Sequence, residues 1–268
     1  RLREQRSPGR AAMSDFNTDI GPLLADIVEE AGRLVLPLWK SGLEVFSKAD
    51  DSPVTEADRR GERLILERLE THFPGVHVIS EEDASEFGAP DEVGDRFFLV
   101  DPVDGTKAFV RGDPNFTVNI ALIEHRRPVA GAVCAPASGE TWYTQGGHAM
   151  KRSVGETGKP VQARSWPQGG AVALVSHTMK EDTLKALHDK NGFDATRAMD
   201  SSIKFCRLAE GSADVYQRHG PTMEWDIAAG HAVLEAAGGS VLTPEGEAFV
   251  YGKADEKFRN GWFVARGK

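Results

Sequence analysis

Residues 97–100, Phe-Phe-Leu-Val, run without a break into Asp101-Pro102-Val103-Asp104-Gly105-Thr106. The apolar run reads as a strand. A strand that ends this way leaves two carboxylates at its carboxyl end, the edge where open α/β sheets take ligands. Pro102 fixes the backbone between the acids, and Gly105 lets the chain turn into a helix. Amides near Gly105 and Thr106, at that helix start, would point at a bound anion. Asp, Pro and Gly are also turn residues, so the segment taken alone reads equally as an acidic β-turn.

It does not stand alone. Ser80-Glu81-Glu82-Asp83 follows a second strand-like run at 76–80. Asp58 lies in the first turn of a helix opened by Thr55-Glu56-Ala57-Asp58, which has the form of a capping box. Asp226 follows Trp225 at the start of an Ala-rich helix. Each of these acids singly suits a helix cap or a solvated surface. Jointly they set four or five carboxylates at element ends, with no His or Cys at metal-ligand spacing. An all-oxygen donor set of that kind suits Mg²⁺ or Mn²⁺ and not Zn²⁺.

Charge points the same way. The net charge is −9, and the first twelve residues hold four Arg and one Glu, which leaves −12 for the rest. Such a chain is no nucleic-acid binder, which would show a basic face. An acidic protein that acts on phosphates must neutralise its own field, and metal ions would do that. No run of eighteen apolar residues occurs, so no transmembrane segment is expected. Residues 1–12 carry Pro and Gly but no apolar stretch, which excludes a secretory signal. They read as a disordered extension, a cloning remnant or a misplaced start, with Met13 the natural beginning. Cys134 and Cys206 sit among apolar neighbours as reduced core thiols of a reducing compartment, which implies a cytoplasmic protein.

Apolar spacing predicts helices over 19–39 and from 55 to the Pro74-Gly75 pair. Strands are expected at 76–80, 97–100, 116–123 and 129–134, the last two joined by a hairpin at His125-Arg126-Arg127-Pro128. The stretch 151–170, polar and rich in Gly, Pro, Ser and Lys, marks a domain boundary. Beyond it, strands at 171–176, 213–218, 240–243 and 261–265 alternate with helices at 180–190, 202–210 and 226–237. The organisation expected is an α+β domain over 13–155, with most of the acids, and an α/β domain over 156–268.

Four segments together resemble the motif series of the inositol monophosphatase superfamily, in order and separation. They are Pro53-Val54-Thr55-Glu56-Ala57-Asp58, Ser80-Glu81-Glu82-Asp83, Asp101–Thr106 and Trp225-Asp226-Ile227-Ala228-Ala229-Gly230. The resemblance implies a layered αβαβα sandwich with the active site between its halves. It implies a Mg²⁺-dependent phosphatase with two ions and room for a weaker third. Glu81, Asp101 and the Val103 carbonyl would hold one Mg²⁺. Asp101, Asp104 and Asp226 would hold the other, with Asp101 bridging and Glu81 helping a third ion through water. Asp58 and Thr106 would pair to deprotonate or align the attacking water, with no protein nucleophile.

Within the superfamily, Lys107 after Asp-Gly-Thr resembles the 3′(2′),5′-bisphosphate nucleotidases of the CysQ type more than the inositol enzymes. So do the stretches 48–58, 216–226 and 258–265. By that resemblance His177, Ser201, Lys204 and Arg218 would contact a bisphosphate nucleotide and its 5′-phosphate, with Gly105, Thr106, Lys107 and Asp226 also on the substrate. Arg218 cannot accept from a sugar hydroxyl but grips a phosphate bidentately. A strand-end surface charge for Arg218 and a turn role for His177 are the plain alternatives. The expected reaction is hydrolysis of 3′-phosphoadenosine 5′-phosphate to AMP and phosphate, clearing a by-product of sulfate activation, with sensitivity to lithium. An inositol-phosphate or histidinol-phosphate phosphatase with the same metals, or a catalytically silent nucleotide or phosphoinositide sensor, are the competing readings. A monomer or homodimer is expected, with peripheral attachment to the cytoplasmic face of the inner membrane left open.

Overall fold

The computed structural model describes residues 19–41, 45–47, 53–177 and 179–268. Residues 1–12, Met13 and residues 48–52 of the nucleotidase-like stretch lie outside the described residues.

Helix α1 (Gly21–Ser41) is followed by a short antiparallel pair, β1 (Val45–Ser47) and β2 (Pro53–Thr55), and then by α2 (Glu56–His72). The next segment builds a seven-stranded sheet in sequence order. Its strands are β3 (His77–Ser80), β4 (Arg96–Asp104), β5 (Thr117–Glu124), β6 (Arg127–Ala135), β7 (Glu140–Gln145), β8 (His148–Ser153) and β9 (Lys159–Val161). Two short helices interrupt it at the strand ends, α3 (Glu81–Phe87) and α4 (Thr106–Val110). Only β3–β4 is parallel; the other pairs are antiparallel.

The layers follow from side-chain alternation along these strands. Phe98 and Val100 of β4, with Val118, Ile120 and Leu122 of β5, turn to α1 and α2. Phe97 and Leu99, with Ala121 and Ile123, turn the other way, to two helices of the C-terminal half. Because β4 is covered on both faces, its apolar residues run without alternation. The hairpin between β5 and β6 turns on His125 and Arg126 alone, both with positive φ (47° and 65°), as a two-residue turn of the primed type requires. Arg127 and Pro128, expected in the turn, already belong to β6.

The C-terminal half forms a second sheet from β10 (Val172–Val175), β11 (Ala195–Ala198), β12 (Val215–Arg218), β14 (Ser240–Leu242) and β16 (Phe263–Arg266), in the order β11-β10-β12-β16-β14. A small pair, β13 (Thr222–Met223) with β15 (Arg259–Asn260), lies outside it. Helix α5 (Glu181–Asn191) covers the outer face through Leu187 over Ala171, Ala173 and Val215. Helices α6 (Ile203–Ala209) and α7 (Glu224–Ala236) fill the space between the sheets. They contact Phe97 and Leu99 on one side and Leu174, Tyr216 and Phe263 on the other. The result is the αβαβα sandwich. Gly230 permits the central layer: a Cβ there would lie 2.6–2.7 Å from Phe205, so α6 and α7 approach only where α7 has no side chain.

Several elements depart from expectation. Strand β9 and the end of β8 fall inside the polar stretch 151–170. The second sheet is mixed, with β16 antiparallel to both neighbours. Helix α7 begins at Glu224, two residues early, because the Asp226 side chain accepts the Met223 amide at 2.8 Å and caps the helix there; the buried Glu224 carboxylate holds the amides of Gly252 and Lys253 at 2.8 and 3.0 Å. Cys134 and Cys206 are buried and free, and burial raises the Cys134 thiol to about 12. Neither thiol ionises at neutral pH. Among the described residues no helix is long and apolar enough to cross a membrane.

Candidate active site

Residues three apart on a strand point to opposite faces, yet Asp101 and Asp104 both line one cavity. A bulge reconciles the two facts. Asp101 pairs with Asn119 but Asp104 with Thr117, so β4 holds one extra residue at Pro102-Val103. The Val103 amide donates to Asp101 Oδ1 at 3.0 Å and pins the bulge from within. Gly105 then turns the chain into α4 with φ 89°; a Cβ there would sit 3.1 Å from the Asn115 carbonyl and 3.3 Å from Ser201.

Asp104 is aimed by residues of both halves. Its Oδ2 accepts from the Ser202 amide, and from Thr117 Oγ1 and Asn119 Nδ2 at 3.3 Å each. The Ser202 hydroxyl donates to the Asp226 carbonyl and accepts from Asn119 at 3.1 Å. Asp226, in the first turn of α7, accepts the Met223 amide at 2.8 Å, which caps the helix and leaves its other oxygen for the cavity. Thus Asp104 at the end of β4 and Asp226 in α7 are tied through one serine.

Asp58, wholly buried in the first turn of α2, accepts from Thr106 Oγ1 at 3.4 Å. The same hydroxyl is 3.1 Å from the Val103 carbonyl. One hydroxyl proton serves two acceptors. Glu81 opens α3 at the cavity edge, and its helix is capped from a distance: Glu62 of α2 accepts the amides of Glu82 and Asp83 at 3.1 and 3.3 Å. Burial pushes the Glu62 carboxyl above its ordinary range, with the Ser80 hydroxyl acting against it. Glu62→Ala is expected to cost about 1–2 kcal/mol of stability, since one buried and one part-buried amide lose their acceptor. A thermal melt of the variant beside wild type measures it.

The cavity encloses about 330 Å³ and also takes in Lys107, His177, Ser201, Lys204 and Arg218. Its carboxylates burden one another. Burial raises Asp101 well above the carboxylate range, and Glu81, Asp104, Asp226 and Asp58 add to the shift. Burial, then Asp104 and Glu81, raise Asp226 in the same way. Burial also raises Asp104, against Lys204 and the Ser202 hydrogen bonds. So many carboxylates around one cavity ionise together only with a cation among them. The donors are all oxygen, so the residues present fit a hard divalent ion.

The predicted substrate residues differ in how they are engaged. Lys204 is buried, and its Nζ donates to the carbonyls of Ser201 (2.8 Å) and Met199 (3.3 Å) and lies 4.8 Å from the Tyr216 ring centre. Burial, helped by Arg218 and opposed by Asp104, brings it down to about 8. Ser201 stands outside α6 with φ 59°, a left-handed backbone that the Lys204 contact supports. Arg218 Nη2 reaches the Pro221 carbonyl at 3.5 Å, and its buried Nε has no acceptor. His177 Nδ1 lies 3.3 Å from Asp200 Oδ2, and Lys107 is exposed.

Sequence reasoning missed Glu62, Asn119, Ser202, Arg111 and Asp200. Arg111 donates to Asp200 Oδ2 at 2.8 Å across the cavity mouth. Among the described residues, Asp113, His177 and Asp200 bring three ligand-type atoms within 4.8 Å of one another, but Arg111 already engages the Asp200 oxygen. The Asp-Ser-Ser run at 200–202 before a short buried helix is the one local signal for any of them.

Known proteins resemble this chain in sequence and in fold. A curated relative from Salmonella typhimurium, the 3′(2′),5′-bisphosphate nucleotidase CysQ, is 39% identical over 90% of this chain and 96% of its own length. Its namesake from Escherichia coli K12 is 36% identical over 90% and 98%. Among solved structures, CysQ from Bacteroides thetaiotaomicron, a bacterial member of the inositol monophosphatase family, superposes with a TM-score of 0.75 at 32% identity, covering 92% of this chain and 96% of that one. The Thermotoga maritima IMPase superposes with a TM-score of 0.73 at 25% identity, covering 91% of each chain. The model of the inositol monophosphatase family matches residues 22–264, and this chain belongs to that family.

Proposed function

We propose that this protein is a Mg²⁺-dependent phosphomonoesterase that hydrolyses 3′-phosphoadenosine 5′-phosphate to AMP and phosphate. The observation that carries the substrate is Arg218. It lines the same cavity as the carboxylates, with a buried Nε that meets no acceptor and one long contact to its own loop. A half-buried guanidinium with so little to hold it would find a bidentate partner in a second phosphate. The names of the curated relatives support the same substrate class.

Glu81, Asp101, Asp104, Asp226 and the Val103 carbonyl would hold the ions, with Asp101 shared. When bound, Mg²⁺ supplies the charge that lets the acids and a phosphate coexist and makes water a stronger nucleophile. The chain's own part is positioning and proton transfer. Thr106 Oγ1 takes a proton from the attacking water as its own proton passes to the Asp58 carboxylate, so the threonine stays neutral and Asp58 ends protonated. The Ser202–Asn119–Thr117 set keeps Asp104 fixed during the displacement. Lys204 holds Ser201 at the cavity wall, and Arg218 and His177 take the rest of the nucleotide.

The test is phosphate release from the bisphosphate nucleotide, inositol 1-phosphate and histidinol phosphate, side by side with Mg²⁺. The nucleotide should lead in kcat/KM by about tenfold or more, the worth of one charged contact. A lead by inositol 1-phosphate would move the protein to the inositol branch of its family.

A further inference from the structure

The mouth of the cavity carries an ion pair that the reaction as derived does not use. Arg111, the residue after α4, donates to Asp200 Oδ2 at 2.8 Å and lies 3.8 Å from Asp113 Oδ2. His177 Nδ1 shares the same Asp200 oxygen at 3.3 Å. Arg111, His177 and Asp200 all line the cavity. The Arg111 side chain is 51% exposed, so this pair is weakly held. A phosphate offers the guanidinium a bidentate partner and competes well for it.

Position narrows which phosphate. Thr106, at the other end of α4, stands beside the carboxylates, and α4 rises about 7 Å from Thr106 to Arg111. That span is comparable to the separation of phosphates on the 3′ and 5′ carbons of one ribose. Asp200 also directly precedes Ser201, whose carbonyl accepts from Lys204 Nζ at 2.8 Å, and Lys204 lines the cavity together with Arg218.

We propose that Arg111 is a specificity-determining residue for the second, non-reacting phosphate of a nucleoside bisphosphate, parked on Asp200 until that phosphate draws it off. Asp200 is then a brake on binding, because its charge both occupies Arg111 and repels the phosphate. This rests on the bisphosphate reading given above. The two residues act with opposite sign, which a purely structural pair would not do.

Steady-state kinetics with Mg²⁺ on wild type, R111A and D200N, each with the bisphosphate nucleotide and 3′-AMP, test it. R111A should raise KM for the bisphosphate about tenfold, one charge-assisted contact, with kcat and the 3′-AMP KM within about twofold. D200N keeps one amide oxygen as an acceptor but removes the charge that holds Arg111 and repels the phosphate, and should lower the bisphosphate KM several-fold. Both side chains are at the surface of the cavity mouth, and equal melting temperatures will confirm that the variants fold. An unmoved R111A, an equal shift on both substrates, or a higher KM in D200N overturns the proposal; the last would make Asp200 a positioning residue for His177. If wild type ignores the bisphosphate and turns over inositol 1-phosphate, the substrate reading and this inference fail together. Bisphosphate turnover with R111A unmoved sinks this inference alone.

Discussion

Asp101→Asn is expected to lower phosphate release more than about a hundred-fold, beyond the ten- to hundred-fold that changes behind a metal ligand typically cause. Asp101 is the carboxylate on which the others converge. It is 1% exposed, held by the Val103 amide, and pushed up by burial and by Glu81, Asp104, Asp226 and Asp58. The same facts predict the opposite effect on stability without metal. A carboxyl whose folded pKa is raised binds more protons folded than unfolded, so stability falls as pH climbs from about 4 through the folded value. Asparagine removes that penalty. The metal-free variant at pH 7 should melt about 2–4 °C above wild type, the shift of roughly 1 kcal/mol in a chain of this size. Mg²⁺ should then raise its melting temperature less than it raises that of wild type. Activity above about a tenth of wild type at saturating Mg²⁺, on the scale just used, would remove Asp101 from any shared ligand role.

Arg218→Ala should reduce kcat/KM for the bisphosphate nucleotide by about ten- to hundred-fold, the worth of a charge-assisted hydrogen bond of roughly 1.5–3 kcal/mol. The loss should fall mainly on KM, because the contact is remote from the breaking bond. A substrate without the 5′-phosphate, 3′-AMP, never makes that contact and should lose far less. Two substrates on two proteins therefore separate binding from structure. Equal losses would make Arg218 a structural residue and leave a metal phosphatase without its nucleotide argument.

What the sequence disclosed, and what it hid, follows from the range of the interactions. The acids could be read because each sits at the end of an element whose apolar run is itself legible, as Asp101 is after Phe97–Val100. Their partners could not. Asn119 meets Ser202 across 83 residues, Arg111 meets Asp200 across 89, and Ser202 meets Asp104 across 98. No local pattern records contacts that only the packing of two sheets creates. Helices α3 and α4, of seven and five residues, are too short to show a helical period. Strands β8 and β9 lie at the sheet's polar edge, where alternation is weak, although Gly146-Gly147 between paired Gln145 and His148 was a usable turn signal. Lys204 reads in sequence as a substrate cation; in the fold two of its donors are engaged by backbone carbonyls before any substrate arrives.

The central claim is that the buried carboxylates work on a phosphate ester only with a divalent cation among them. Its most direct test is the initial rate of phosphate release from 3′-phosphoadenosine 5′-phosphate by the wild-type protein, with Mg²⁺ and after chelation. The rate should vanish in chelator and return when Mg²⁺ is restored, and Li⁺ added beside Mg²⁺ should depress it. Full activity in chelator would contradict the account, because the carboxylates would then face a phosphate with nothing to offset their charge.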